Sequence, residues 1–126
     1  MINIIVKQKV NPRDLLEPRK YFGIAKASGV VDVRQLATQI SKETTLGTPD
    51  VLAVIEALLQ DIPEFLLDGK IVKLGDFGSY RLTVKGQGTE NLDDYSVNLI
   101  EKTNLHFRGG KVFNDVLSRA VFSKVS

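Results

Sequence analysis

Residues Thr48 to Val84 place the tightest constraint on the fold. Val51, Leu52, Val54, Ile55, Leu58, Leu59, Ile62, Phe65 and Leu66 recur at helical spacing and cover more than half of one helix's circumference. A stripe that wide belongs to a helix buried on two sides. Thr48 is expected to cap its first turn through the hydroxyl. Pro49 then takes the first helical position, where its missing N–H costs nothing, and Asp50 sets negative charge at the positive end of the dipole. Pro63 is expected to kink the helix, and Asp68-Gly69 to end it with the glycine left-handed. Two strands, Lys70 to Leu74 and Ser79 to Lys85, should flank a tight Gly75-Asp76-Phe77-Gly78 corner.

A shorter helix precedes this one. Asp32, with Gln35 three residues on, has the pattern of a capping box, and Val33, Leu36, Ala37 and Ile40 give a narrow apolar face. Thr44 to Gly47 then turns the chain back. A narrow stripe against a wide one leaves apolar surface over, which calls for a partner, most simply a second copy of the chain.

The strand Ser79 to Lys85 alternates, with Tyr80, Leu82 and Val84 on one face and Ser79, Arg81, Thr83 and Lys85 on the other. The segment Leu99 to Arg108 does the same near its end. Leu105 and Phe107 point inward, while Lys102, Asn104, His106 and Arg108 point outward. The sheet is thus apolar on one side and cationic on the other. Lys111 to Val121 reads as a last helix with Val112, Phe113, Val116, Leu117 and Ala120 on its buried side, and Phe122 to Val125 as a short final strand. The Gly109-Gly110 entry is expected to leave backbone N–H groups free for a phosphate oxygen.

At the other end, residues 2–10 alternate as a strand, Asn11-Pro12-Arg13-Asp14 and Glu17-Pro18 break it, and Tyr21 to Ala27 forms a second strand. Residues 1–31 therefore read as a two-stranded N-terminal segment, suited to cover a sheet edge or widen an interface. Residues 32–126 form the main unit.

Charge is segregated rather than abundant. The whole chain carries +2. Residues 1–31 hold Lys7, Lys9, Arg13, Arg19, Lys20 and Lys26 against Asp14 and Glu17, whereas the helix pair holds Arg34 and Lys42 against Asp32, Glu43, Asp50, Glu56, Asp61, Glu64 and Asp68. The absence of cysteine excludes a disulfide framework and thiolate metal sites. Ile2 to Val6 is too short for the apolar core of a leader peptide, and no apolar run approaches a membrane span. An enzyme is not expected. The only histidine, His106, is on the polar sheet face, and Asp93-Asp94 are adjacent and solvated. Asp76-Phe77-Gly78 lacks the partner loops that give the kinase tripeptide its role, and Gly86-Gln87-Gly88 lacks the lysine and spacing of a phosphate loop. No metal or cofactor is expected.

The run Leu74-Gly75-Asp76-Phe77-Gly78-Ser79-Tyr80-Arg81-Leu82 resembles the glycine-phenylalanine-glycine-x-aromatic signature of the bacterial histone-like HU/IHF DNA-binding family. The helix pair from Val33 to Leu67 is similar to that family's dimerisation unit. Phe107-Arg108-Gly109-Gly110-Lys111 looks like its phenylalanine-lysine-proline-glycine-lysine entry to the last helix. The added N-terminal hairpin resembles the extension in a longer HU-like branch found in Bacteroidetes. The resemblance implies an α+β, HU/IHF-like fold: a helix pair, an antiparallel sheet saddle and a C-terminal helix, with the N-terminal β-hairpin added. It implies an intertwined homodimer, with Val51, Ile55, Leu58, Leu59, Phe77, Tyr80 and Phe107 in the dimer core. It implies a cytoplasmic, nucleoid-associated protein that binds double-stranded DNA through backbone contacts. Lys73, Arg81, Lys85, Lys102, Arg108, Gly110 and Lys111 are the residues placed on the duplex.

The family's long arginine-rich arm, with its proline wedge, has no counterpart. Gly86 to Ile100 has no Arg, Lys or Pro and carries Glu90, Asp93 and Asp94, which read with Thr89 as a capped helical turn. Carboxylates repel phosphate. Sharp kinking is therefore not expected, and sequence-nonspecific backbone binding is the leading expectation. An HU-like scaffold turned to protein–protein contacts is the alternative.

Overall fold

A computed structural model describes residues 1–125. Two strands open the chain, β1 (Ile2–Lys9) and β2 (Lys20–Lys26), followed by helices α1 (Val33–Glu43) and α2 (Thr48–Leu67). The strands β3 (Val72–Lys73), β4 (Gly78–Gly86) and β5 (Ile100–Gly109) come next, and α3 (Lys111–Leu117) and β6 (Phe122–Lys124) finish the chain. The result is α+β, as expected. Two compact units are distinguished: Met1–Asp32 with the described residues from Val116 onward, and Val33–Asp115.

In the larger unit, α1 and α2 pack as a helical hairpin, and α2 also touches β3 and β4. Ala37 is fully buried and Val51 is 4% exposed. The small side chain at 37 lets two helix backbones approach closely. The turn between the helices is closed by the Ser41 hydroxyl, which donates to the Leu46 carbonyl at 2.7 Å. The start of α2 differs from expectation. Gly47 occupies the cap position, no side chain caps the helix, and Thr48 already lies inside it. Gly47 holds the extended backbone of a cap, and its carbonyl already accepts the first helical bond, from the Val51 N–H at 3.1 Å, so the cap falls one residue earlier. The C-terminal end of α2 follows the expected pattern. Gly69 has φ +81°, its N–H donates to the Leu66 carbonyl at 3.0 Å, and the Lys70 N–H reaches the Phe65 carbonyl at 3.2 Å. These are the paired bonds of a Schellman motif, which satisfy carbonyls the helix leaves over.

The sheet of this unit runs β3-β4-β5, antiparallel throughout. β3 is only two residues of the expected five. The corner before β4 is a single 3₁₀ turn, Gly75–Phe77, closed by a bond from the Leu74 N–H to the Gly78 carbonyl at 2.9 Å. On the apolar face the rings of Phe77, Tyr80, Phe107 and Phe113 meet. Phe77 and Phe113 lie edge to face with centroids 4.8 Å apart, and Tyr80 and Phe107 are at 4.7 Å. Each such pair is worth roughly 0.5–1.5 kcal/mol beyond the area it buries.

The smaller unit is a three-stranded sheet ordered β2-β1-β6. The β1–β2 hairpin pairs from Asn3↔Lys26 to Lys9↔Lys20. β6 lies parallel to β1, with Ile2 opposite Phe122. The short final strand matches the expectation from sequence, which did not extend to its partner. Helix α3 stops at Leu117 rather than Val121, because the chain tightens into bonds from Arg119 N–H to Val116 O and from Ala120 N–H to Leu117 O and then extends as β6.

The apolar stripe of α2 is only half used within the chain. Val51 is buried and Ile55 partly so, yet Leu58 is 43%, Leu59 56% and Phe65 52% exposed. Fully burying one such side chain contributes about 1.5–3 kcal/mol, so this face holds a large unrealised driving force.

Candidate functional site

The register of β3, β4 and β5 decides what the polar face looks like. Lys73 is opposite Ser79, and Ser79 is opposite Arg108. Residues paired across strands share a face, so Lys73, Ser79 and Arg108 form one row across all three strands. The next row on that face pairs Arg81 with His106, the next Thr83 with Asn104, and the last Lys85 with Lys102. All five basic residues expected on the sheet thus lie on one side. From the Ser79 row to the Lys85 row is six residues, roughly 20 Å of strand.

The cations are not spread evenly. Lys73, Arg81 and Arg108 converge on a shallow depression of about 290 Å³, also lined by Ser79, Gly78 and Gly110. Lys85 and Lys102 stand directly opposite each other at the far end. Like charges placed so destabilise a sheet by up to about 1 kcal/mol. A fold that keeps such a pair on an exposed face gains when an anion is laid across it.

Lys111 is the first residue of α3 and lies beyond the sheet. Gly110 plays a different part from the one expected. Its N–H is not free, because it donates to the Phe77 carbonyl at 3.0 Å. A Cβ at Gly110 would run into the Asp76 carbonyl oxygen, and one at Gly78 would come within 2.5 Å of the Arg108 carbonyl oxygen. Gly78 also has φ +144°, a conformation side-chain-bearing residues avoid. The corner at 75–78 and the entry at 109–110 are therefore two halves of one backbone joint. That joint sets the ends of β4 and β5 and so aims Arg81 and Arg108. From sequence the two motifs are separate. Nothing in their composition announces that they touch, and register alone reveals it.

The aromatic residues expected in a dimer core divide as well. Phe77, Tyr80 and Phe107 pack with Phe113 inside this unit, while Leu58 and Leu59 on α2 remain exposed.

The connection between β4 and β5 is acidic and locally ordered. The pairing slips between Lys85 and Gly86. The Gln87 N–H donates to the Leu99 carbonyl at 3.2 Å, and the Gln87 side chain donates to Glu101 at 3.1 Å. Two 3₁₀ turns follow, Leu92–Asp94 and Val97–Leu99. The helical turn matches expectation, but its cap does not. The Thr89 hydroxyl donates to the Asn91 carbonyl at 2.8 Å instead of accepting from the turn, and Ser96 caps the second turn by accepting from the Asn98 N–H. Among the described residues no group of three or more His, Cys, Asp or Glu side chains is gathered as a metal site, and no helix is long and apolar enough to cross a membrane.

This arrangement has relatives. The family model HU-HIG, described as an HU domain fused to a wHTH, Ig or glycine-rich motif, matches residues 2–124. A crystal structure of a candidate DNA-binding protein from Bacteroides vulgatus superposes with a TM-score of 0.67 at 10% identity, over 98% of this chain and 48% of that one. The chain thus spans about half the length of that protein. Anabaena HU, in a cocrystal with DNA, superposes with a TM-score of 0.56 at 20% identity, over 71% of this chain and all of the other. At these identities the two likenesses are of fold. No curated protein matches the chain by sequence.

Proposed function

The chain belongs to the HU-HIG family, and from that membership we propose that it is a sequence-nonspecific, nucleoid-associated DNA-binding protein that works as a homodimer. The observation that carries the proposal is the polar face of β3-β4-β5. Lys73, Arg81, Lys85, Lys102 and Arg108 stand on it in cross-strand rows, two of them directly opposed. The Anabaena relative's cocrystal with DNA supports the choice of ligand. Each lysine or arginine set against a phosphate releases a counterion, so affinity falls as salt rises. Phosphate contacts position a protein but carry no sequence information. His106 and Asn104 share the face and can donate to phosphate oxygens between the cations. Gly110 acts through the backbone joint, and Lys111 extends the cationic path past the sheet. The second copy covers the exposed stripe of α2, with Leu58 and Leu59 at its centre.

Titration of random-sequence duplex by fluorescence anisotropy at two salt concentrations tests this reading. Binding should weaken with salt and fall sharply in the Arg81→Glu/Arg108→Glu variant. Equal affinity of wild type and variant would overturn it. The acidic Gly86–Ile100 connection favours a second reading, in which the same scaffold contacts other proteins. Absence of duplex binding at low salt would select that reading.

A further inference from the structure

The strands of the smaller sheet also have two unlike faces. In β1, Asn3, Ile5, Lys7 and Lys9 share one side. Their partners in β2 are Lys26, Ile24, Phe22 and Lys20, in that order. Four lysines therefore stand on a single face, at both ends of an Ile5–Ile24 centre, and all four are exposed. Lys9 is directly opposite Lys20, the same like-charged pairing that Lys85 and Lys102 make in the other sheet. Phe22 is 45% exposed on this face, and the Lys9 ammonium lies 5.6 Å from its ring centre. The ring props the lysine over the sheet by a cation–π contact. The opposite face carries Ile2, Ile4, Val6, Tyr21 and Ala25 from these strands, with Phe122 and a single lysine, Lys124, from β6. The two acids of residues 1–31 lie in the connection between the strands. There the Glu17 carboxylate accepts from the Asn11 side chain at 2.6 Å and Asp14 accepts from the Leu16 N–H at 3.0 Å. Asp14 is engaged within the connection, while Glu17 also lines a hollow beside Lys9, Lys20 and Phe22, so it offsets part of the charge at that end of the face.

We propose that the Lys7–Lys9–Lys20–Lys26 face of the β1–β2 hairpin is a second binding surface for the phosphate backbone of duplex DNA. The proposal rests on the reading above only for the identity of the ligand. From the Asn3↔Lys26 row to the Lys9↔Lys20 row is about 20 Å of strand. One DNA strand presents a phosphate roughly every 3.4 Å of helix axis, so four lysines over that length meet several phosphates at once. One exposed lysine contributes little, but four on one face release several counterions together.

Two measurements on the full chain test the proposal. The first is an NMR titration of labelled wild-type protein with random-sequence duplex at low salt. The amides of Lys7, Lys9, Lys20, Phe22 and Lys26 should shift. The second is the salt dependence of affinity for the Lys7→Gln/Lys9→Gln/Lys20→Gln/Lys26→Gln variant. Its log–log slope should be shallower than wild type by about 3.6 per chain, at about 0.9 for each phosphate that is no longer neutralised. Shifts confined to β4 and β5, with an unchanged slope, would overturn this inference and leave the proposed function standing. Shifts confined to the β1–β2 face would support this inference and overturn the role given to Arg81 and Arg108. No shift on any strand would overturn both. The wild-type titration needs no substitution, so a poorly folded variant cannot decide the result.

Discussion

The two three-stranded sheets follow one pattern and are secured differently. Each has a mainly apolar side and a side set with lysine or arginine, and each places one lysine directly across from another. In β3-β4-β5 a chain of four touching aromatic rings covers one end of the apolar side, while Val84 and Leu105 stay 59% and 62% exposed at the other, and the strand ends are fixed where Gly110 meets the Asp76 backbone. In β2-β1-β6 the apolar side leaves Tyr21 and Phe122 largely exposed, and Phe22, on the cationic side, packs against a lysine. The same alternation of residues can therefore give a rigidly aimed cationic face or a loosely supported one. Packing behind the sheet makes the difference.

That contrast breaks most sharply at the glycines. Gly110→Ala should destabilise the β3-β4-β5 unit by about 3 kcal/mol or more, because the new methyl has only backbone to displace. In the other sheet, Gly23→Ala meets only the Ile4 Cγ2 methyl, at 2.9 Å, and should cost about 1 kcal/mol. Chemical denaturation read by amide hydrogen exchange in each sheet measures both, and equal costs would mean the backbone joint is not what secures the larger sheet. Next comes the ring cluster. Phe107→Ala should cost about 2–3 kcal/mol, below the figure for a fully buried phenylalanine because its ring is partly exposed. Phe22→Ala should cost under about 1 kcal/mol, the worth of an exposed cation–π contact. Thermal melts of the two variants check this order.

The smallest effect is the most informative. Lys85→Glu replaces a repulsive pair with an attractive one, since Lys102 is directly opposite. It should stabilise the fold by about 0.2–1 kcal/mol while weakening duplex binding and reducing its salt dependence. A variant both more stable and less able to bind would show that the cationic face is kept for its ligand and not for the fold. A variant that is more stable and binds DNA unchanged would remove Lys85 from the interface.

Much of this is legible in the sequence. The stripe on α2, its Gly69 ending, the two-faced strand at 78–86 and the aromatic positions all follow from local periodicity, and local periodicity survives folding. The cap of α2 falls one residue from its expected place because Gly47 and Thr48 are both acceptable caps, and only the backbone angle separates them. The connection at 87–99 shows its helical turns in sequence but not which hydroxyl serves them, since Thr89 and Ser96 have the same hydrogen-bonding capacity. What the sequence does not display is pairing across distance. The row joining Lys73 to Arg108, the contact of Gly110 with Asp76 and the partner of β6 all depend on register between segments far apart in the chain. No local pattern encodes that register.

The pairing of β6 with β1 has a consequence for how the molecule comes into being. Ile2 leaves the ribosome long before Phe122, the residue it lies against. The helical hairpin and the β4–β5 ribbon join segments close in the chain and can form as they emerge, whereas this parallel pair must wait until Phe122–Lys124 has been made. Until then one edge of β1 stays open, with unpaired N–H and C=O groups ready to accept a strand from elsewhere. The β2-β1-β6 sheet is therefore the last part of this sequence to close and the part most exposed to mispairing during synthesis.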